Sequence, residues 1–390
     1  MTRAHAIIAG GGTAGHVVPG LAIADELVAR GVPRDQVHYV GSARGIETRL
    51  VPEAGFPLTV LPGRGIQRRL TIENVRSVVG LVSAILTGVR LVRRLRPAVV
   101  VGLGGYASVP CVIGAVLWRV PIVVAEQNAV PGAANRLAGR FAKACAVSFE
   151  GVDLPNATWT GNPVRPEVRV LAEPDPDRRS HARAALDVPA EHRFFAVFGG
   201  SLGARRINHA AADAAPRWAN DATVAIRHVS GRRDRDEIAD RLDLPPEAAF
   251  LHQLVEYEDD MPTVYAAADF VVCRAGASSV AELAVAGVPG VLVPLPGAPG
   301  DHQTANARAL VDAGAAVLVA DGDLDADRFA NEVDALLRDP DRLAAMAAAA
   351  SSVARPDAAS AVVDLLDQHA ARPRPDAATP QPDSSEGPPR

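Results

Sequence analysis

The chain has 390 residues, more than one ordinary domain, and its 48% apolar content suffices for a packed core in each of two. A net charge of −5 gives no general attraction to nucleic acid, so none is expected as a partner. Cys111, Cys145 and Cys273 lie far apart without ligand spacing, so the expectation is reduced, buried thiols rather than disulfides or zinc. The start of the chain lacks the apolar stretch of a secretory leader, and no uncharged apolar run reaches the roughly 18–20 residues of a membrane span. The expectation is a cytoplasmic protein that does not cross a membrane.

In the first half, β-rich runs at 5–9, 36–40, 58–61, 98–101, 121–124, 144–147 and 158–161 alternate with helical ones. The helical runs fall at about 18–30, 46–54, 71–95, 108–117 and 133–141. Such alternation predicts a parallel sheet with helices on both faces. The pattern breaks near Gly161-Asn162-Pro163, and the same programme restarts with a strand at 194–198. Further strands are predicted at 223–229, 249–251, 269–273, 290–294 and 315–319, then helices at 325–337, 341–350 and 357–369. This gives an α/β chain of two Rossmann-like parallel-sheet domains facing across a cleft. The domains are placed at 1–165 and 166–355, with a last helix in 356–372 packing back on the first domain. Residues 373–390, rich in Pro, Asp, Ser and Ala, read as a disordered tail.

Gly10-Gly11-Gly12-Thr13-Ala14-Gly15-His16 joins the first strand to the first helix and matches the dinucleotide fingerprint G-x-G-x-x-G. The acidic residue that should close the second strand is missing, because that strand ends Val40-Gly41-Ser42. What survives is a backbone that a substrate can approach and a helix N-terminus that favours negative charge. His16 is either an ordinary histidine of the first helical turn or a general base, since imidazole titrates near neutrality. Gly199-Gly200-Ser201-Leu202-Gly203 opens the second half as a plain turn or as a cradle of amides and one hydroxyl for an anion.

The stretch 273–306 gathers a strand end, a helix N-terminus, Glu282 in the first helical turn, and a Gly/Pro loop carrying Asp301, His302, Gln303 and Asn306. Ligands bind at such places in open α/β sheets. Ser279-Val280-Ala281-Glu282 also fits a capping box, in which the glutamate serves only the helix. The other reading has the carboxylate holding two ribose hydroxyls. Glu126-Gln127-Asn128 follows a strand and is placed for substrate hydroxyls or as an ordinary loop. Arg64, Arg68, Arg69, Arg76, Arg90, Arg93, Arg94 and Arg96 lie before and along the 71–95 helix, whose apolar residues exceed one core-facing stripe. Such a helix suits an anionic membrane surface, or else packs fully into its domain.

In order and spacing, these motifs resemble the MurG family: GGTAGHVVPG at 11–20, GGYASVP at 104–110, EQNAVPG at 126–132, GNPVR at 161–165, GGSLGARRIN at 199–208, EYEDDM at 256–261, CRAGASSVAEL at 273–283 and DHQTANA at 301–307. The resemblance implies the GT-B architecture, with acceptor and membrane on the N-terminal domain and UDP-GlcNAc on the C-terminal one. It implies inverting, metal-independent transfer, without cofactor, of GlcNAc to undecaprenyl-pyrophosphoryl-MurNAc-pentapeptide in peptidoglycan synthesis. A peripheral position on the cytoplasmic membrane face and cell-wall and division proteins as partners are implied as well. By resemblance, Glu282 holds the ribose, Ser201 the diphosphate, and Arg165 lies close to the donor. The backbone near Tyr257 and Glu258 reads uracil, Ala277, Ser278, Ser279, Val280 and Ala281 lie on the diphosphate, and Gln303 contacts GlcNAc. Thr13, Ala14, Gly15 and Asn128 complete the donor site from the front, with His16 as base and Glu126 in reserve. Ala14, Leu202 and His302 stand where the family commonly has glycine, glutamine and glutamine. The resemblance leaves open a transferase of the same fold with another lipid or natural-product acceptor, and a UDP-sugar epimerase.

Overall fold

The computed structural model describes residues 3–43, 45–62, 73–199 and 204–371, with the backbone only for 73–79. Ser201, Leu202, Arg64, Arg68, Arg69, the Arg76 side chain and the tail at 373–390 lie outside the described residues.

The front half runs β1 Ala6–Gly10, α1 Ala14–Ala29, β2 Val37–Ser42, α2 Glu47–Glu53, β3 Leu58–Leu61, α3 Glu73–Leu95 and β4 Val99–Gly104. It continues with α4 Ser108–Trp118, β5 Ile122–Glu126, α5 Ala133–Gly139, β6 Ala144–Val147 and β7 Ala157–Trp159. Two short helices, α6 Pro166–Arg169 and α7 Arg178–Ala185, lead into the rear half. There follow β8 Arg193–Phe198, α8 Arg205–Ala214, β9 Val224–Val229, α9 Arg235–Arg241, β10 Leu251–Val255, α10 Met261–Ala267 and β11 Phe270–Cys273. The chain ends α11 Ala277–Ala286, β12 Gly290–Leu292, α12 His302–Asp312, β13 Ala316–Leu318, α13 Ala326–Leu337, α14 Pro340–Ser352 and α15 Ala358–His369.

Among the described residues the strands form two all-parallel sheets, ordered β3-β2-β1-β4-β5-β6-β7 and β10-β9-β8-β11-β12-β13. Their central strands are uninterrupted apolar runs, as a sheet covered on both faces requires: β1 and β4 are buried at every residue. Both sheets reverse strand order at their first strand, which opens a crevice at the carboxyl edge beside β1–β4 and beside β8–β11.

Three elements differ from expectation. The strand predicted at 249–251 runs instead over Leu251–Val255, where His252 and Gln253 interrupt the apolar run; β10 is an edge strand and half-buried throughout. Helix α1 begins at Ala14, four residues before its predicted start, so Gly15 and His16 belong to its first turn and Pro19 lies inside it. Gln303 and Asn306 sit on α12 rather than in a loop, because Asp301 takes a left-handed conformation (φ 52°) and starts the helix immediately after it.

Helix α15 returns to the front half. Val362, Val363 and Leu366 are buried there, where α15 packs on α1, β5 and β6 in one cluster with Val123, Ala125 and Ala146. Arg30 of α1 donates to Asp364 at 2.6 Å and to the Ser360 hydroxyl at 2.6 Å. All three cysteines are free and buried. No helix among the described residues is long and apolar enough to cross a membrane.

Candidate active site

The two carboxyl edges meet through one side chain. Asn306, fully buried on α12, accepts from the Ala129 N–H at 2.8 Å and donates to the Asn128 side-chain oxygen at 3.2 Å and the Ala275 carbonyl at 3.3 Å. A loop after β5, the turn after β11 and the start of α12 are thereby drawn to one point. Asn128 and Gln303 belong to this junction.

On the front side, Thr13 is the residue before α1, and its hydroxyl lies 3.2 Å from His16 Nδ1. His16 Nε2 sits beside the bare Cα of Gly104, whose φ of 95° favours glycine and where a Cβ would lie 3.3 Å from the ring. Asn135 Nδ2 approaches the same point at 3.1 Å. Burial lowers the His16 pKa from 6.5; the charges of Glu126 and Glu47 oppose that shift, and His302 of α12 adds to it. The imidazole is therefore neutral near pH 7 and able to take a proton.

Glu126 is differently placed. One carboxylate oxygen accepts from the Asn128 N–H at 2.9 Å, the other from the Gly132 N–H at 3.0 Å and Asn135 Nδ2 at 2.9 Å. It is 3% exposed. With both oxygens committed to the loop it shapes, Glu126 is a poorer base than His16.

On the rear side, α11 starts two residues earlier than its sequence suggests the cap should fall. Gly276 precedes the first turn and no side chain caps it, so the capping-box arrangement does not form. Glu282 lies in the second turn, not the first, 6% exposed. Tyr265 donates to one of its oxygens at 2.9 Å, and Arg165 Nη2 lies 3.2 Å from the other. Burial raises the Glu282 pKa, against the pull of Arg165 and Tyr265. The N-terminal turn carries Ala277, Ser278, Ser279, Val280 and Ala281, and the Ser278 hydroxyl is buried without a protein partner. Unpaired amides and a spare hydroxyl at a helix start suit an anion.

Gln303 accepts from the Leu295 N–H at 2.9 Å, which leaves its amide nitrogen as the donor. Tyr257 follows β10 and is 65% exposed, while Glu258 is held by Arg227 at 2.6 Å and by the Asp260 N–H at 3.1 Å. Among the described residues no group of three His, Cys, Asp or Glu side chains is arranged to hold a metal ion.

Sequence reasoning missed Glu47, Asn135 and Tyr265. Glu47 lies under the first glycine turn, where both its oxygens accept from the Gly12 N–H at 3.0–3.1 Å. Its sequence signal is the glycines at 11, 41 and 45, whose missing Cβ atoms make its space. Tyr265 is signalled by nothing in the sequence.

The glycosyltransferase family 28 N-terminal domain matches residues 6–147, and the family 28 C-terminal domain matches residues 194–362. A UDP-N-acetylglucosamine–N-acetylmuramyl-(pentapeptide) pyrophosphoryl-undecaprenol N-acetylglucosamine transferase from Nocardioides sp. is 42% identical over 90% of this chain and 94% of its own. One of the same name from Acidothermus cellulolyticus is 41% identical over 94% of this chain and 98% of its own. The crystal structure of Acinetobacter baumannii MurG superposes with a TM-score of 0.73 at 29% identity, covering 94% of this chain and 99% of that one. A Neisseria meningitidis UDP-GlcNAc 2-epimerase bound to UDP-GlcNAc, 14% identical with a TM-score of 0.64 over 93% of this chain and 99% of that one, shares the fold. Likeness at this level of identity over almost the whole chain, together with two family domains in the same order, has one meaning: the chain belongs to the MurG family of N-acetylglucosaminyltransferases.

Proposed function

We infer that the protein transfers GlcNAc from UDP-GlcNAc to the 4-hydroxyl of MurNAc in undecaprenyl-pyrophosphoryl-MurNAc-pentapeptide, with inversion at the anomeric carbon. The observation that carries this is identity of about 40% with transferases of that name over more than nine-tenths of the chain. The geometry supports the following roles. His16 removes the proton from the acceptor hydroxyl as its oxygen attacks the anomeric carbon, and the bond to UDP breaks on the far side. The departing diphosphate rests on the first turn of α11, through the amides of 277–279 and the Ser278 hydroxyl, with Ser201 added by motif resemblance alone. Each well-aimed donor to a developing oxyanion is worth about 2.7–4 kcal/mol, so fixed dipoles suffice without a metal.

Glu282, oriented by Tyr265, takes the ribose hydroxyls in place of its contact with Arg165. Gln303 donates to the sugar, and the backbone near Tyr257 and Glu258 reads uracil. Thr13, Ala14, Gly15 and Asn128 close the donor site from the front, where domain closure excludes water. The first glycine turn is a poor diphosphate site because the Gly12 amide already serves the Glu47 carboxylate. That supports placing the nucleotide on the rear half.

The front half rests on an anionic membrane surface. Leu117, Trp118, Leu137 and Phe141 of α4, α5 and the residues after them are 45–61% exposed, and Arg93 stacks over Trp118 at 5.1 Å. An apolar cavity of about 180 Å³ opens between these helices. Exposed apolar side chains beside cations suit the headgroup region. Cell-wall and division proteins are the partners proposed there.

A single-turnover assay with UDP-GlcNAc, a short-chain lipid-linked MurNAc-peptide and excess EDTA tests the reading. The expected products are the β-1,4 disaccharide and UDP, at a rate unchanged by the chelator. Consumption of donor without acceptor, or transfer only to other acceptors, overturns it.

A further inference from the structure

A glutamate with no exposed surface sits at the first position of α2, five residues beyond the end of β2. Besides the Gly12 N–H, the Glu47 carboxylate accepts from the Ser42 N–H at 2.7 Å and the Ser42 hydroxyl at 2.8 Å. A Cβ at Gly11, at Gly41 or at Gly45 would overlap it. Three glycines from three segments thus leave room for one buried anion, and its donors come from the turns after β1 and β2. A helix start needs none of this, since α2 has neither a long N-terminal turn nor a capping bond. Burying a charge is costly unless hydrogen bonds replace its water, and here they fix Gly12, the residue with φ of 96° on which the turn pivots.

We propose that Glu47 is a positioning residue for the transfer step, setting from beneath the backbone that carries Thr13 and His16. The inference rests on the reading that His16 accepts the acceptor's proton. Two consequences separate it from a mere clamp. The Thr13–His16 contact depends on the turn that Gly12 anchors, so loosening Glu47 misaligns the base. Among the described residues, the charged and titratable groups facing His16 are Glu126 on β5, Glu47 on α2 and His302 on α12. Removing the Glu47 charge therefore shifts the imidazole further in the direction that burial already drives it. Donor affinity, set on the rear half, stays as it was.

The test uses the full chain with Glu47→Gln, which keeps the volume and loses the charge. The expected result is a kcat lowered roughly ten- to hundredfold, a KM for UDP-GlcNAc within about twofold, and an acid limb of kcat moved to lower pH. NMR titration of the His16 ring should give a lower midpoint than wild type. Ser42→Ala removes one bond and keeps the charge, so it should lower kcat about two- to fivefold without moving the limb. Calorimetric UDP binding within twofold of wild type confirms a folded rear half. Wild-type kcat and pH profile in Glu47→Gln overturn the proposal, as does a parallel loss of UDP affinity. Should Glu47→Gln not fold, unchanged kcat in Ser42→Ala overturns it instead. Failure of wild type to make disaccharide would indict the functional reading alone, because the His16 titration needs no turnover.

Discussion

Arg165 and Glu282 face each other at 3.2 Å, one from the segment joining the two halves and the other from the second turn of α11. Glu282 is nearly buried and Arg165 a third exposed, so this carboxylate is held by Tyr265 from inside and by a displaceable cation from outside. In the proposed donor site, a ribose diol arriving from the cleft would replace the cation and meet an acceptor already aimed.

Glu282→Ala should therefore weaken UDP-GlcNAc binding about ten- to hundredfold, since a hydrogen bond to a charged group is worth roughly 1.5–3 kcal/mol, while kcat changes little. Tyr265→Phe should act in the same direction and less. Calorimetric titration with UDP-GlcNAc, beside steady-state kcat, checks both. A fall in kcat with unaltered affinity would remove Glu282 from the donor site.

His16→Ala should lower kcat roughly hundredfold or more, as loss of a general base does, and leave donor KM near wild type. In the wild type, burial puts the His16 pKa below 6.5. With the neutral ring as the proposed active form, kcat should rise with pH through that lowered value and level off about one pH unit above it. A profile of kcat against pH from 4.5 to 8.5 checks this, and an acid limb retained in His16→Ala would assign it to another group.

Acid should destabilise the rear half in a defined window. His228 and His252 stack at 5.6 Å, and burial holds their pKa values at about 3 and about 4. In the unfolded chain both protonate near 6.5, so between there and about 4 the unfolded state binds more protons. Stability is complete above the unfolded value and falls with pH, by about 1.4 kcal/mol per pH unit for each ring. Thermal midpoints from pH 7 to 4.5 should drop, and His252→Leu should flatten the slope.

Leu117→Glu combined with Phe141→Glu should abolish co-sedimentation with vesicles containing anionic lipid. Transfer to a short-chain, detergent-soluble acceptor should stay within about twofold, since Leu117 lies at the end of α4 and Phe141 follows α5, at the helix ends opposite the carboxyl edge of the sheet. Equal loss of both would show the two faces to be one.

Much of the fold was legible because the inner strands of a covered parallel sheet are plain apolar runs; β6 at 144–147 was recovered residue for residue, as was the short edge strand β3 at 58–61. The edge strand β10 was misplaced because its outer residues need not be apolar. The proposal that His16, Glu282 and Gln303 share one cleft came through motif resemblance. Their settings did not, since the start of a helix turns on backbone angles at Thr13, Gly276 and Asp301 that the side-chain pattern barely constrains. Glu47 stayed hidden because most of its donors are backbone amides, and the glycines at 11, 41 and 45 signal an open space without saying which side chain fills it.

The return of α15 to the front sheet means that the two halves are not consecutive lengths of chain. A fragment stopping near residue 165 would expose the strip that Val362, Val363 and Leu366 cover, and would leave Arg30 with Glu26 but without Asp364 and Asp367. Anyone dissecting the molecule must splice 357–370 onto the front piece, and should expect the rear piece, relieved of that strand-crossing strap, to be the more soluble of the two.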